Sequence, residues 1–217
     1  EVFIGFDYSM FSDNTAIGFV YPYGDNQYYL QQFSFIPWQA AGSLEAKENQ
    51  DGIAYHAFPE YCQITAHKDG IINPEQIYNW LLDFVGNHNL NVKFFGYDRF
   101  GSYQVKNIVE SLNANTSWNI MDIQQRTSAL ANPTKFLQEL FVTHKATIPD
   151  DPIMKKALLN AVIKSDKIGI QVDKDKATLK IDVVDAIIDA LFQAMYYFDE
   201  NSDLNNKDTE VDRMTEQ

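Results

Sequence analysis

With 217 residues, 45% apolar and 14% aromatic, the chain is long enough to bury the core of one large domain, and its formal net charge is −13 at pH 7. A single cysteine, Cys62, excludes an intramolecular disulfide framework, and no cluster of cysteines and histidines offers a zinc site, which fits a reducing compartment. No uninterrupted apolar stretch is long enough to span a bilayer and the N-terminus lacks the basic head and apolar segment of a signal peptide, so a soluble, intracellular protein is expected.

Val2–Asp7 reads as a buried strand. Ser9 to Asn14 form a polar turn, Thr15–Tyr21 a second strand, Tyr21 to Asn26 another turn, and Gln27–Phe35, alternating polar and aromatic residues, a third strand. That is an antiparallel meander. Residues 37–70, punctuated by Pro37, Gly42, Asp51-Gly52, Pro59 and Asp69-Gly70, predict an irregular insertion with one or two helical turns. Asn73-Pro74 then caps and opens a helix with an apolar stripe of Ile77, Leu81, Phe84 and Val85, ending near Gly86. Val92–Tyr97 is a central strand, Gly101–Leu112 a helix, Trp118–Ile123 a strand and Pro133–Val142 a helix. Asp150-Asp151-Pro152 opens a helix expected to reach about Lys164, Ile168–Val172 and Thr178–Lys180 are short extended pieces, and Asp182–Phe198 is a long closing helix.

The negative charge argues against a nucleic-acid partner until its distribution is considered, because affinity for phosphates comes mainly from Lys and Arg. Residues 199–217 hold seven acids against Lys207 and Arg213 and so supply −5 of the −13; they are expected to form a solvated, poorly ordered tail. Between 155 and 180 the balance reverses, with seven lysines (Lys155, Lys156, Lys164, Lys167, Lys174, Lys176, Lys180) facing Asp166, Asp173 and Asp175. A basic segment of this kind suits a phosphodiester substrate.

Three acidic stretches carry the chemistry. Phe3-Ile4-Gly5-Phe6-Asp7 and Phe94-Phe95-Gly96-Tyr97-Asp98 are strands that end in a carboxylate, and Lys180-Ile181-Asp182-Val183-Val184-Asp185 starts a helix. Carboxylates gathered from strand ends and a helix make an all-oxygen site suited to Mg²⁺ or Mn²⁺, and paired ions of that kind cleave phosphodiesters. Each acid also has an ordinary explanation. Asp7 and Asp98 could simply begin turns, and Asp182 and Asp185 could be the N-cap and a third-position acid favoured by the positive helix end. Capping does not explain Asp189, which shares their helix face at i+7. No spacing supports His144, His67 or a Ser9–His56 pair as catalytic groups, and no Gly-rich phosphate loop occurs.

A meander, then helix–strand–helix–strand, then a closing helix is the order of a ribonuclease H-like α/β fold: a mixed central sheet, antiparallel and parallel, flanked by helices. In that fold the first strand, the later parallel strand and the last helix meet at one sheet edge. The chain also resembles the C-terminal nuclease domain of the large terminase subunit of tailed bacteriophages. The likeness is most specific in Ile148-Pro149-Asp150-Asp151-Pro152, Asn160-Ala161-Val162, Lys174, Lys176 and Lys180-Ile181-Asp182-Val183-Val184-Asp185-Ala186 through Leu191. That order is similar to the family's ending of a small helix with Asn, then Asp-x-x-Gly-x, Lys and Ile-Asp-x-x-x-Ala. Gly5-Phe6-Asp7-Tyr8-Ser9 with Asp13-Asn14-Thr15-Ala16 extends the likeness to the front, so that it covers residues 2–198.

The resemblance implies Asp7, Asp98 and Asp182, with Asp185 ranked lower, as ligands of a two-metal Mg²⁺ or Mn²⁺ site that cuts concatemeric double-stranded viral DNA during packaging. Lys164, Lys167, Lys174 and Lys176, with Arg99 and Lys106, would contact flanking phosphates. It further implies one nuclease domain over 1–198, an N-terminal ATPase motor absent from this chain, a small terminase subunit and a portal as partners, no membrane association, and the host cytoplasm as the location. A junction resolvase or ribonuclease of the same fold, or a non-catalytic module docking DNA or portal, are the competing expectations.

Overall fold

The computed structural model describes residues 1–10, 13–98, 103–173 and 181–199. Three strands open the chain as their patterning predicts, β1 (Val2–Asp7), β2 (Thr15–Tyr23) and β3 (Gln27–Ile36). The segment expected to be irregular holds a helix, α1 (Leu44–Asp51), a single 3-10 turn at Tyr55–Ala57 and a strand, β4 (Cys62–Ile64). Its Gly52 is a helix end rather than a loop signal: Ser43 accepts from the Ala46 N–H to start α1, and Gly52 stops it at φ 63°. Then come α2 (Pro74–Asn87), β5 (Val92–Asp98), α3 (Tyr103–Asn115), β6 (Ile120–Ile123), α4 (Thr127–Val142) and β7 (Ala146–Thr147). The chain continues with α5 (Pro152–Asn160), β8 (Ile163–Ser165), β9 (Ile170–Val172) and α6 (Asp182–Ala194).

Several boundaries differ from expectation, each for a physical reason. α4 begins at Thr127 and carries Pro133 in its interior; the proline removes one ladder bond, while buried Leu130, Leu137 and Leu140 hold the helix to the core. α5 stops at Asn160 instead of reaching Lys164. The residues after it pair as a β8–β9 hairpin, Ile163 opposite Val172, whose turn is tied by the Asp166 carboxylate accepting from the Ile168 and Gly169 N–H groups at 2.7 and 3.0 Å. α6 ends at Ala194, short of Phe198: a turn at Met195 and Tyr196 interrupts it before residues 197–199 resume helical geometry, where Tyr197 meets Phe3 edge-on at 6.0 Å and Phe198 meets Tyr28 at 5.5 Å. The expected strand at 178–180 and most of the acidic tail lie outside the described residues.

The main sheet runs β4-β3-β2-β1-β5-β6, with β7 also pairing β3. β1 is antiparallel to β2 and parallel to β5, and β6 is parallel to β5, so the sheet is mixed and ribonuclease H-like. Alternate residues of each strand serve opposite layers. Val2, Ile4, Phe6, Ile17, Phe19 and Phe95 pack with α2 and α3, while Phe3, Val20, Leu30 and Phe94 pack with α4, α5 and α6.

The second layer approaches unusually closely at one line. Gly5 stands opposite Gly18 on β2 and Gly96 on β5, giving a row of glycines across three neighbouring strands. α6 lies on that row: a Cβ added at Gly5 would stand 1.9 Å from the Ala186 carbonyl oxygen, and one at Gly18 would stand 2.7 Å from the Ala186 carbonyl carbon. Ala186, Ala190 and Ala194 are fully buried on the facing side. Small residues on both surfaces let the helix backbone rest on the sheet backbone, which fixes where its first turn falls.

Candidate metal centre

Phe6 opposite Tyr97 is the last paired step between β1 and β5, and Asp7 and Asp98 are the next residues on their strands. Parallel neighbours are about 5 Å apart, so the two strands deliver their terminal acids side by side, both half-buried. The first turn of α6 carries Asp182 and Asp185. Asp182 lines a cavity with Asn14, which directly precedes β2, and the start of β2 pairs with the end of β1, Ala16 opposite Asp7. The helix start therefore belongs to the same sheet edge as Asp7 and Asp98. Its positive end and orphan N–H groups favour anionic groups there.

Capping does not account for the helix acids. The N-cap is Ile181, whose carbonyl accepts from the Val184 and Asp185 N–H groups at 2.7 and 3.1 Å, and no side chain among the described residues caps the helix. Asp182 is the first helical residue rather than its cap. Asp185 and Asp189 are buried, at 6% and 2% exposure, a costly setting for carboxylates without donors or cations. Asp189 receives Gln125 Nε2 at 3.0 and 3.4 Å from its two oxygens. The carboxylate oxygens brought to this edge are the donor type that Mg²⁺ and Mn²⁺ take. Among the described residues, no three or more His, Cys, Asp or Glu side chains are gathered into a group that could hold an ion; the fold supplies the proximity of the elements, not a closed ligand shell.

The α1 region supplies a wall of the site that sequence reading missed. Lys47 and Asp51 form a buried ion pair at 2.9 Å one helical turn apart. Tyr55 donates its hydroxyl to Asp51 at 2.9 Å and accepts from Asn14 Nδ2 at 3.0 Å. Burial first, and the Asp51 charge second, raise the Tyr55 phenol far above its usual range, which keeps it a donor. Gln125 and Asn14 were likewise invisible as site residues, because their roles depend on pairing between distant elements. The one available signal was Asn14 standing two residues before Ala16, at the strand end beside Asp7.

The basic candidates divide. Lys164 lies on β8 and Lys167 in its turn, both exposed. Their hairpin docks on the start of α4, where Thr127 Oγ1 donates to Asp166 at 2.8 Å and lies 3.0 Å from Gln171 Oε1. Since α4 follows β6, which runs parallel to β5, the hairpin stands beyond the acid edge on the β6 side. Lys106 is exposed in the first turn of α3, 3.9 Å from Glu110. Arg99, Lys174 and Lys176 lie outside the described residues. No helix among the described residues is long and apolar enough to cross a membrane.

The family model described as "Terminase large subunit, endonuclease domain" matches residues 1–197. No curated protein matches the sequence. Among solved structures, the large terminase of bacteriophage HK97 superimposes with a TM-score of 0.76 at 18% identity, over 88% of this chain and 39% of that one. The chain thus spans about two fifths of the HK97 protein. The large terminase nuclease of thermophilic phage G20c with bound magnesium gives a TM-score of 0.51 at 14% identity, over 88% of this chain and 80% of that one. The same G20c nuclease with bound cobalt gives 0.54 at 13% identity, over 88% and 80%. At these identities the structural likeness concerns the fold.

Proposed function

Because the chain belongs to the family of terminase large-subunit endonuclease domains, we propose that it is a divalent-metal-dependent endodeoxyribonuclease that cuts concatemeric double-stranded viral DNA into packaged lengths. The observation that carries this reading is the parallel pairing of β1 and β5 up to Phe6 and Tyr97, after which the two strands end in Asp7 and Asp98. The magnesium and cobalt bound by the G20c nuclease support the use of a divalent ion. Asp7 and Asp98, with Asp182 and Asp185, would hold Mg²⁺ or Mn²⁺. When bound, such ions lower the pKa of an attacking water and stabilise the leaving oxygen.

The remaining work falls to the chain itself. The helix N-terminus favours negative charge at Asp182 and Asp185. Lys164 and Lys167, with Lys174, Lys176, Arg99 and Lys106, would neutralise phosphates on either side of the scissile bond and position the duplex without reading bases. In the longer protein, an ATPase motor, a small subunit and a portal would present the DNA in the host cytoplasm. Plasmid nicking in Mg²⁺ or Mn²⁺ tests the proposal. Asp7→Asn and Asp98→Asn should each lower the rate about a hundredfold or more while melting as the parent does. Undiminished cutting by both variants, or cutting that persists in excess EDTA, would refute it.

A further inference from the structure

A cavity of ≈ 10 Å³ lies beneath the start of α6, walled by Asn14, Asp51, Tyr55, Lys156, Asn160 and Asp182. Asn14 is 3% exposed, and the hydrogen-bond chain behind it fixes which way its amide points. Asp51 already takes Lys47 and can only accept, so the Tyr55 proton is committed to it. Tyr55 must then accept, and Asn14 meets it with Nδ2. This turns Asn14 Oδ1 away, where it is buried and has no donor among the described residues. Asn160 Nδ2, from the last residue of α5, is buried and has no acceptor among them.

An orphan acceptor and an orphan donor on the walls of one cavity define their ligand closely, since each carries a desolvation penalty until it is paired. A cation would satisfy Asn14 but face the Asn160 amide protons and the Lys156 ammonium. An anion would satisfy Asn160 but face the Asn14 carbonyl and the Asp51 and Asp182 carboxylates. Water does both, and the cavity has room for about one molecule. We infer that a single buried water accepts from Asn160 Nδ2 and donates one hydrogen bond to Asn14 Oδ1 and the other to Asp182, so that Asn14 and Asn160 are positioning residues for the first turn of α6. Their effect on metal binding rests on the metal-centre reading above. The bridge links the β1–β2 connection, α5 and α6, which sequence leaves far apart.

A high-resolution crystal structure of the metal-free 217-residue chain, with calorimetric Mn²⁺ titration, tests both parts. Density for one water within about 3.2 Å of Asn14 Oδ1 and Asn160 Nδ2 is expected; a dry cavity overturns the bridge. Asn160→Leu, which fills the cavity with an apolar group of similar size, should weaken Mn²⁺ binding about tenfold with little change in melting temperature, and Asn160→Ser should restore most of the affinity. Unchanged Mn²⁺ affinity in Asn160→Leu, or a loss matched by a large fall in melting temperature and not rescued by serine, overturns the positioning role. Parent protein that binds no Mn²⁺ would instead refute the metal centre, and the crystal would still decide the water.

Discussion

Since Ile181 and not Asp182 caps α6, replacing Asp182 by Asn removes no cap and isolates its charge. Asp182→Asn and Asp185→Asn should both melt at or slightly above the parent temperature, because each relieves repulsion among acids at one edge. Nicking should fall about a hundredfold for whichever carboxylate holds an ion; full activity in both would remove α6 as a ligand source. A second residue-scale prediction concerns Asp151, the fully buried N-cap of α5. Burial raises its carboxyl, outweighing the donors Gln32 Nε2 and the Met154 and Ile153 amides. An acid raised in the folded state stabilises fully below its unfolded pKa and loses that contribution as pH rises through the folded value. The stability of the parent relative to Asp151→Asn should therefore fall between pH 4 and pH 7 in urea titrations, and a rise over that interval would contradict the assignment. Asp151→Ala should cost about 1 kcal/mol at either pH through the lost cap. Asp7 and Asp98 were legible as carboxylates ending apolar runs, whereas Asn14, Gln125 and Asp51 acquire meaning only through partners on other elements.

Among elements, the contact of α6 with the glycine row sets the geometry of the edge. Gly5→Ala puts a methyl where the Ala186 carbonyl stands, 1.9 Å away, and backbone on both sides leaves no rotamer to yield. The substitution should destabilise by about 1–3 kcal/mol or more through overpacking, and in the folded fraction should weaken Mn²⁺ binding by displacing the first turn of α6. Gly24→Ala, at an open turn with φ 54°, is the control: it should cost stability but not metal affinity. Equal metal affinity in Gly5→Ala and parent would show that the row does not position the acids. The hairpin yields a separate prediction. Removing exposed Lys164 and Lys167 together should weaken binding to unrelated DNA sequences alike and reduce the salt slope by about two; an unchanged slope would assign the phosphates to another face. The second strand of this hairpin falls within the extended piece expected at Ile168–Val172, whereas its first strand reads as helix because the helical pattern starting at Pro152 shows no break at Asn160, and only pairing with β9 reveals the change. Strand order was legible from periodicity, but the glycine row was not, since single glycines in three strands become a surface only once register aligns them.

For the molecule as a whole, ion binding and stability should be coupled. If the edge holds Mn²⁺ only when folded, Mn²⁺ at about 100 times its Kd should add about 2.7 kcal/mol, or about 5–10 °C of melting temperature for a domain of this size. The Asp7→Asn/Asp98→Asn double variant should show almost none of that rise while its metal-free melting temperature holds or increases. Differential scanning calorimetry with Mn²⁺ and with Ca²⁺ as comparison measures it, and an equal rise in the double variant would place the ion elsewhere.

The close seating of α6 on β1 also imposes an order in time. The helix occupies Asp182–Ala194 and the strand Val2–Asp7, so the first and last elements described along the chain must meet before the edge exists. Contacts this distant in sequence form late and slowly in folding. A ribosome still translating α5 would carry the strand acids without the helix that completes their edge. On the proposed reading, cutting is withheld from every unfinished chain, and the order of synthesis itself guards the genome that encodes the enzyme.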